Sequence, residues 1–127
     1  MMILLGHCAI IGVNNERKVI LGKIQRELNK LHFKYSYHGT QYLIETIYEV
    51  YKIRNKLNLK LSKDIYPIIA KKYNKSIDTI HSNMKKSVTA MYYDCDEKFL
   101  KEYFNYYETL KPKLKDLIFK IVDKISK

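Results

Sequence analysis

Ile65-Tyr66-Pro67-Ile68-Ile69-Ala70-Lys71-Lys72-Tyr73-Asn74-Lys75-Ser76-Ile77-Asp78-Thr79-Ile80 reads as two helices meeting at a tight turn. Pro67 suits a first helical turn, where few backbone donors need an intrahelical partner. With Ser62 ahead of it, it marks the opening of a short helix through Tyr73 whose buried side is Ile65, Ile68, Ile69 and Ala70. Asn74 follows where the backbone must turn sharply, and asparagine is among the few residues that tolerate the left-handed conformation. Ser76 is a good N-cap for what comes next. A small residue at the helix crossing, a turn residue, a cap and then buried aliphatics is the spacing of a helix-turn-helix, placed here at about 66–92.

Downstream, Ile77, Ile80, Met84, Val88 and Met91 fall on one helical stripe, which carries the second helix of the motif to Tyr92. With that stripe inward, the other side presents Asp78, Ser82 and Lys85, flanked by Thr79, His81, Lys86 and Thr89. Asp78, Thr79, His81, Ser82, Lys85 and Lys86 are thus candidates to touch base edges in a major groove, and Lys71, Lys72, Lys75 and Ser76 to hold phosphates.

Upstream, Val19, Ile20, Ile24, Leu28 and Leu31 recur at helical spacing, predicting a first helix over 16–31 with Asn14 or Asn15 as its cap. Leu43, Ile44, Ile47, Val50 and Tyr51 define a second after Gly39 and Thr40. Towards the C-terminus, Asp94 and Glu97 have capping-box spacing ahead of Phe99, Leu100, Tyr103, Phe104 and Tyr107. Pro112 then opens a helix with Leu114, Leu117, Ile118, Ile121, Val122 and Ile125 inward. No alternating strand pattern follows residue 15, so the expected fold is all-α: a compact bundle of five to six helices. Residues 1–15 are read as an N-terminal apolar arm and 16–127 as a single helical domain.

The chain has 127 residues, 24 Lys plus Arg and 13 Asp plus Glu, a net charge of +11. That excess favours a polyanionic partner. It is also uneven: residues 52–86 hold ten cations and two acids, whereas residues 93–110 hold five acids and two cations. A bias imposed only by composition would spread more evenly, so the middle block is the better candidate for phosphate contact.

The string His38-Gly39-Thr40-Gln41-Tyr42-Leu43, then Ile65-Tyr66-Pro67-Ile68-Ile69-Ala70-Lys71-Lys72-Tyr73-Asn74 and the helix after Ser76, closely resembles the C-terminal effector domain of the stage zero sporulation regulators of Bacillus and Clostridium. Members show a G-Y-x-Y-L segment, L-Y-P-x-I-A-K-K-[FY]-N, a Thr/Ser-rich turn and a recognition helix ending near an aromatic residue, the place Tyr92 takes here. The resemblance continues weakly through Phe104, Lys111-Pro112 and the last amphipathic helix. It implies a six-helix, double-stranded DNA-binding transcription regulator that acts on short promoter boxes, often as head-to-tail pairs. It also implies that the acidic segment contacts the sigma subunit of RNA polymerase, with Glu102 and Glu108 as candidates. Two departures stand out. The family's recognition helix reads roughly S-R-V-E-R-A-I-R-H, where this chain has Asp78-Thr79-Ile80-His81-Ser82-Asn83-Met84-Lys85-Lys86, so of its cations only Lys85 remains in register. The stretch ahead of His38 is also too short for the family's receiver domain, so no aspartyl-phosphate switch is expected.

Other chemistries find little support. His7, His32, His38 and His81 are scattered relative to Cys8 and Cys95, which is not metal-ligand spacing. No phosphate-binding glycine loop, nucleophile elbow or H-E-x-x-H helix occurs, so neither an enzyme nor a cofactor is expected. The apolar opening from Met1 to Val13 is too short to span a bilayer, and a cytoplasmic, nucleoid-associated protein without membrane contact is the expectation. Most of the twelve tyrosines belong to the core or its boundary rather than to a stacking platform. The competing reading is a helical interaction module that acts on a regulator or on RNA polymerase without binding DNA; such a module has no need of the basic block at 52–86.

Overall fold

The computed structural model describes the backbone of residues 2–105 and 111–127 and the side chains of 15–105 and 111–127. It contains six α-helices and, among the described residues, no strand: α1 (Met2–Lys30), α2 (His38–Lys52), α3 (Tyr66–Tyr73), α4 (Ile77–Asp94), α5 (Glu97–Phe104) and α6 (Leu114–Ile125). A single π-helical turn, Leu61–Ile65, leads directly into α3.

α2 is the central element and packs against α1, α3, α4 and α6. Its Leu43, Ile44, Ile47 and Val50 meet Ile24 and Leu28 of α1, Ile80, Met84 and Val88 of α4 and the Leu117, Ile118 and Ile121 stripe of α6 in one hydrophobic core. α2 and α4 approach each other tightly at Gly39. A Cβ on Gly39 would run into the backbone carbonyl of Asn83 and the Ser87 hydroxyl, so glycine is required there for lack of space. Thr46 adds a contact from its hydroxyl to the Met84 sulfur, 3.4 Å away.

The helix ends show how the sequence stops each element. α1 closes where His32 takes φ 65°, with the Phe33 amide returning to the Leu28 carbonyl at 3.0 Å. α5 stops at Asn105, again left-handed at φ 58°.

Several boundaries differ from the sequence reading. α1 begins at Met2, so Asn14 and Asn15 lie inside it and neither caps it; polar residues interrupt an apolar pattern without breaking a helix. The expected helix through Ser62 and Tyr73 divides into the π-helical turn and α3, and α4 runs two residues past Tyr92 to Asp94. The α5 cap is Asp96, whose carboxylate accepts from the Phe99 amide at 3.2 Å, while Asp94 instead pairs with Lys34 at 3.3 Å. Pro112 is buried and precedes the N-cap Lys113 rather than opening α6 itself. Val19, Ile68 and Ile77, all assigned inward, are 56%, 47% and 39% exposed. α3 is only eight residues long and buries Tyr66, Ile69 and Ala70, which turns Ile68 to the opposite side. Tyr107 lies outside the described residues.

Candidate nucleic-acid interface

The turn between α3 and α4 is built by backbone hydrogen bonding. Asn74 adopts φ 53°, ψ 50°, and its amide donates to the Lys71 carbonyl at 3.3 Å, while the Lys75 amide reaches the Ala70 carbonyl at 2.9 Å. This is a Schellman closure with asparagine where glycine is the usual choice. Two residues later Ser76 is extended, and its hydroxyl accepts from the Thr79 amide at 3.1 Å. Three residues therefore reverse the chain with the exposed ends of both helices satisfied, as a helix-turn-helix requires. Ile80, Met84, Val88 and Met91 are buried, which fixes the rotation of α4 about its axis.

That rotation places the expected reading residues. Ser82, Lys85 and Lys86 are exposed and, with His81 and Thr89, line one shallow groove along α4. His81 is half-buried, its ring 5.6 Å from that of Tyr66. Asp78 and Thr79 are exposed on the first turn, outside that groove. Thr79 is committed to the cap: its hydroxyl accepts from Ser76 at 2.9 Å and its carbonyl from the Asn83 side-chain Nδ2 at 2.8 Å.

The expected phosphate-holding lysines separate into two kinds. Lys71 and Lys75 are exposed and make no ion pair among the described residues. Lys72 is drawn to Glu45 of α2 at 2.9 Å, a carboxylate shared with Arg17 at 3.3 Å. Sequence spacing alone does not reveal that pairing, because Glu45 lies on a different helix.

The structure also adds cations that the motif does not contain. Lys111 donates to the Thr89 hydroxyl at 3.2 Å, tying the approach to α6 onto α4. Lys113 and Lys115 border the same region. Their signal in the sequence is the alternation Lys111-Pro112-Lys113-Leu114-Lys115, but nothing local ties it to α4. Glu102 is exposed on α5, and Glu108 lies outside the described residues.

The described residues contain no cluster of three or more His, Cys, Asp or Glu side chains able to hold a metal ion. Among them no helix is long and apolar enough to cross a membrane. Cys95 is buried, and burial pushes its thiol above its ordinary value, away from thiolate chemistry.

A search among curated proteins gives no match. A comparison with protein families matches residues 24–125, from the buried half of α1 to the end of α6, to the family described as sporulation initiation factor Spo0A C terminal. With the helix-turn-helix geometry and nearly the whole bundle inside that match, the chain belongs to the Spo0A C-terminal family.

Proposed function

We propose that this protein is a sequence-specific double-stranded DNA-binding regulator of transcription whose helix α4 enters the major groove. The observation that carries this reading is the outer face of α4: Ser82, Lys85 and Lys86 stand exposed beside His81 on a helix whose start is held by the Ser76 cap and whose opposite face is locked into the core. Rigid presentation of a few polar and cationic side chains is what base readout requires. Lys71, Lys75 and the capped helix start serve the phosphate backbone, and Lys72 joins them by exchanging Glu45 for phosphate. Asp78 and Thr79 lie at the end of α4 nearest that backbone. Loss of the family's recognition-helix arginines leaves lysine and hydroxyl donors to choose the site, so its target boxes differ from those of its relatives.

Tandem boxes bound head to tail and a contact of Glu102 and Glu108 with the sigma subunit complete the proposal. Fluorescence anisotropy on promoter DNA from the surrounding genome tests it. Four to six phosphate contacts give a log–log salt slope of about −4 to −5, and a flat response ends the DNA reading. Lys71→Ala weakens all sequences alike, whereas Ser82→Ala and Lys85→Ala change the order of preference; uniform weakening by all three removes α4 from the groove. Charge reversal at Glu102 leaves binding intact and changes transcription from a bound promoter, and unchanged transcription eliminates the polymerase contact.

A further inference from the structure

Between the start of α3, the middle of α4 and the approach to α6 lies a cavity of about 340 Å³, within the range of small-ligand sites. Its apolar part is made by Tyr66, Val88, Pro112 and Leu114. Its remaining wall is His81 with four lysines, Lys85, Lys111, Lys113 and Lys115. None of these lysines forms an ion pair among the described residues, and Asp116, on the first turn of α6, is not within pairing distance of any of them. Four like charges around one concavity repel one another, and an entering anion relieves that repulsion.

A second observation points the same way. Tyr66 is 6% exposed and lines the cavity, and its hydroxyl, which still reaches solvent, makes no hydrogen bond to any described group and is free to donate to a ligand. Burial pushes it up to about 12, so at neutral pH it remains a donor. Lys111 is already oriented, its ammonium held by Thr89.

We infer that this cavity is a binding site for a phosphate-bearing ligand of nucleotide size, with the phosphate among Lys85, Lys111, Lys113 and Lys115 and a planar, apolar part against Tyr66, Pro112 and Leu114. His81 and Lys85 also line the groove along α4, so occupancy is felt at the reading surface. The phosphate has two sources, a free nucleotide or the backbone of bound DNA, and only the second rests on the function proposed above.

The test begins without DNA. Adenosine 5′-monophosphate and inorganic phosphate are titrated into the 15N-labelled full chain and followed by amide shifts, for the wild type, Tyr66→Phe and the double variant K113A/K115A, each first checked by thermal melting. Saturable shifts confined to residues 66, 81, 85, 88, 111 and 113–115, weakened about tenfold or more in K113A/K115A and measurably in Tyr66→Phe, establish a free-nucleotide site. If neither probe moves these residues but K113A/K115A makes the salt slope of DNA binding shallower by about 2, the phosphate is that of DNA. No shift from either probe and an unchanged DNA slope, or no DNA binding at all, overturns the inference. Nucleotide binding in a protein that fails to bind DNA leaves the inference standing and removes the DNA reading instead.

Discussion

Two groups of cations in this bundle are treated differently. Where α1, α2 and α3 meet, Arg17 and Lys72 converge on Glu45 at 3.3 and 2.9 Å, and at the far end of α1, against α5, Lys30 sits 2.8 Å from Glu27, which also accepts the Tyr103 hydroxyl at 2.8 Å. On α4 and the approach to α6, Lys85, Lys86, Lys111, Lys113 and Lys115 make no ion pair among the described residues. The first set neutralises charge within the fold. The second leaves its charge unneutralised by the fold, at the expense of mutual repulsion. Net charge alone would not have distinguished these roles; position relative to the acids does.

The largest disturbance removes the support common to both groups. Gly39→Ala forces α2 away from the Asn83 carbonyl and is expected to cost about 3 kcal/mol, the upper part of the overpacking range, read as a lowered urea midpoint with unchanged m-value. A loss below about 1 kcal/mol would mean that α4 shifts without penalty, and the rigid-presentation premise would fail.

In the paired group alone, Tyr103→Phe takes a hydrogen bond from the buried Glu27 carboxylate and should cost about 2 kcal/mol by urea unfolding. The pH response follows from the same contact. Burial by itself would raise the Glu27 carboxyl, but hydrogen bonds from Lys30 and Tyr103 outweigh it and hold it below its ordinary 4.5. Because the folded value lies below the unfolded one, this contribution is complete above pH 4.5 and disappears as pH falls through the depressed folded value. Glu27→Gln should therefore flatten the acid limb of the stability profile, and an unaltered limb would show that other carboxylates carry it.

Smaller effects belong to the turn that joins the two groups. Asn74→Ala places a side chain with little tolerance for φ 53° in the left-handed region, a loss of about 1–2 kcal/mol. Ser76→Ala removes the α4 cap for about 1 kcal/mol. Thermal melting separates these from Asn74→Gly, which should lie within a few tenths of a kcal/mol of wild type.

The smallest effect is the sharpest. Lys85→Ala and Lys86→Ala, singly or together, should leave thermal stability within about 0.5 kcal/mol of wild type while reducing affinity for DNA. Should either destabilise the fold by more than about 1 kcal/mol, the unpaired group would be part of the scaffold and the contrast between the two groups would collapse.

Much of this was legible in advance because it is local. The φ 53° at Asn74, the Ser76 cap and the inward stripe of Ile80, Met84, Val88 and Met91 follow from residue type and helical period, and together they place Ser82, Lys85 and Lys86 outward. The apolar face of α6 was equally plain, every one of its expected residues being buried. Ile68 and Ile77 were misplaced because a period says which residues share a face and not how far the core extends to cover it.

What the amino-acid sequence by itself determined, then, is the set of helices, the turn at Asn74 and Ser76, the family likeness and the surplus of positive charge, all properties of neighbours along the chain. Tertiary structure alone decided which lysines are spoken for. Lys72 meets Glu45 across 27 positions, Tyr103 meets Glu27 across 76, and Lys111 is brought to Thr89 across 22. Pairing energy depends on distance in space, falling with separation and with intervening solvent, and no spacing along the chain encodes that distance until α2 has gathered the other helices around it.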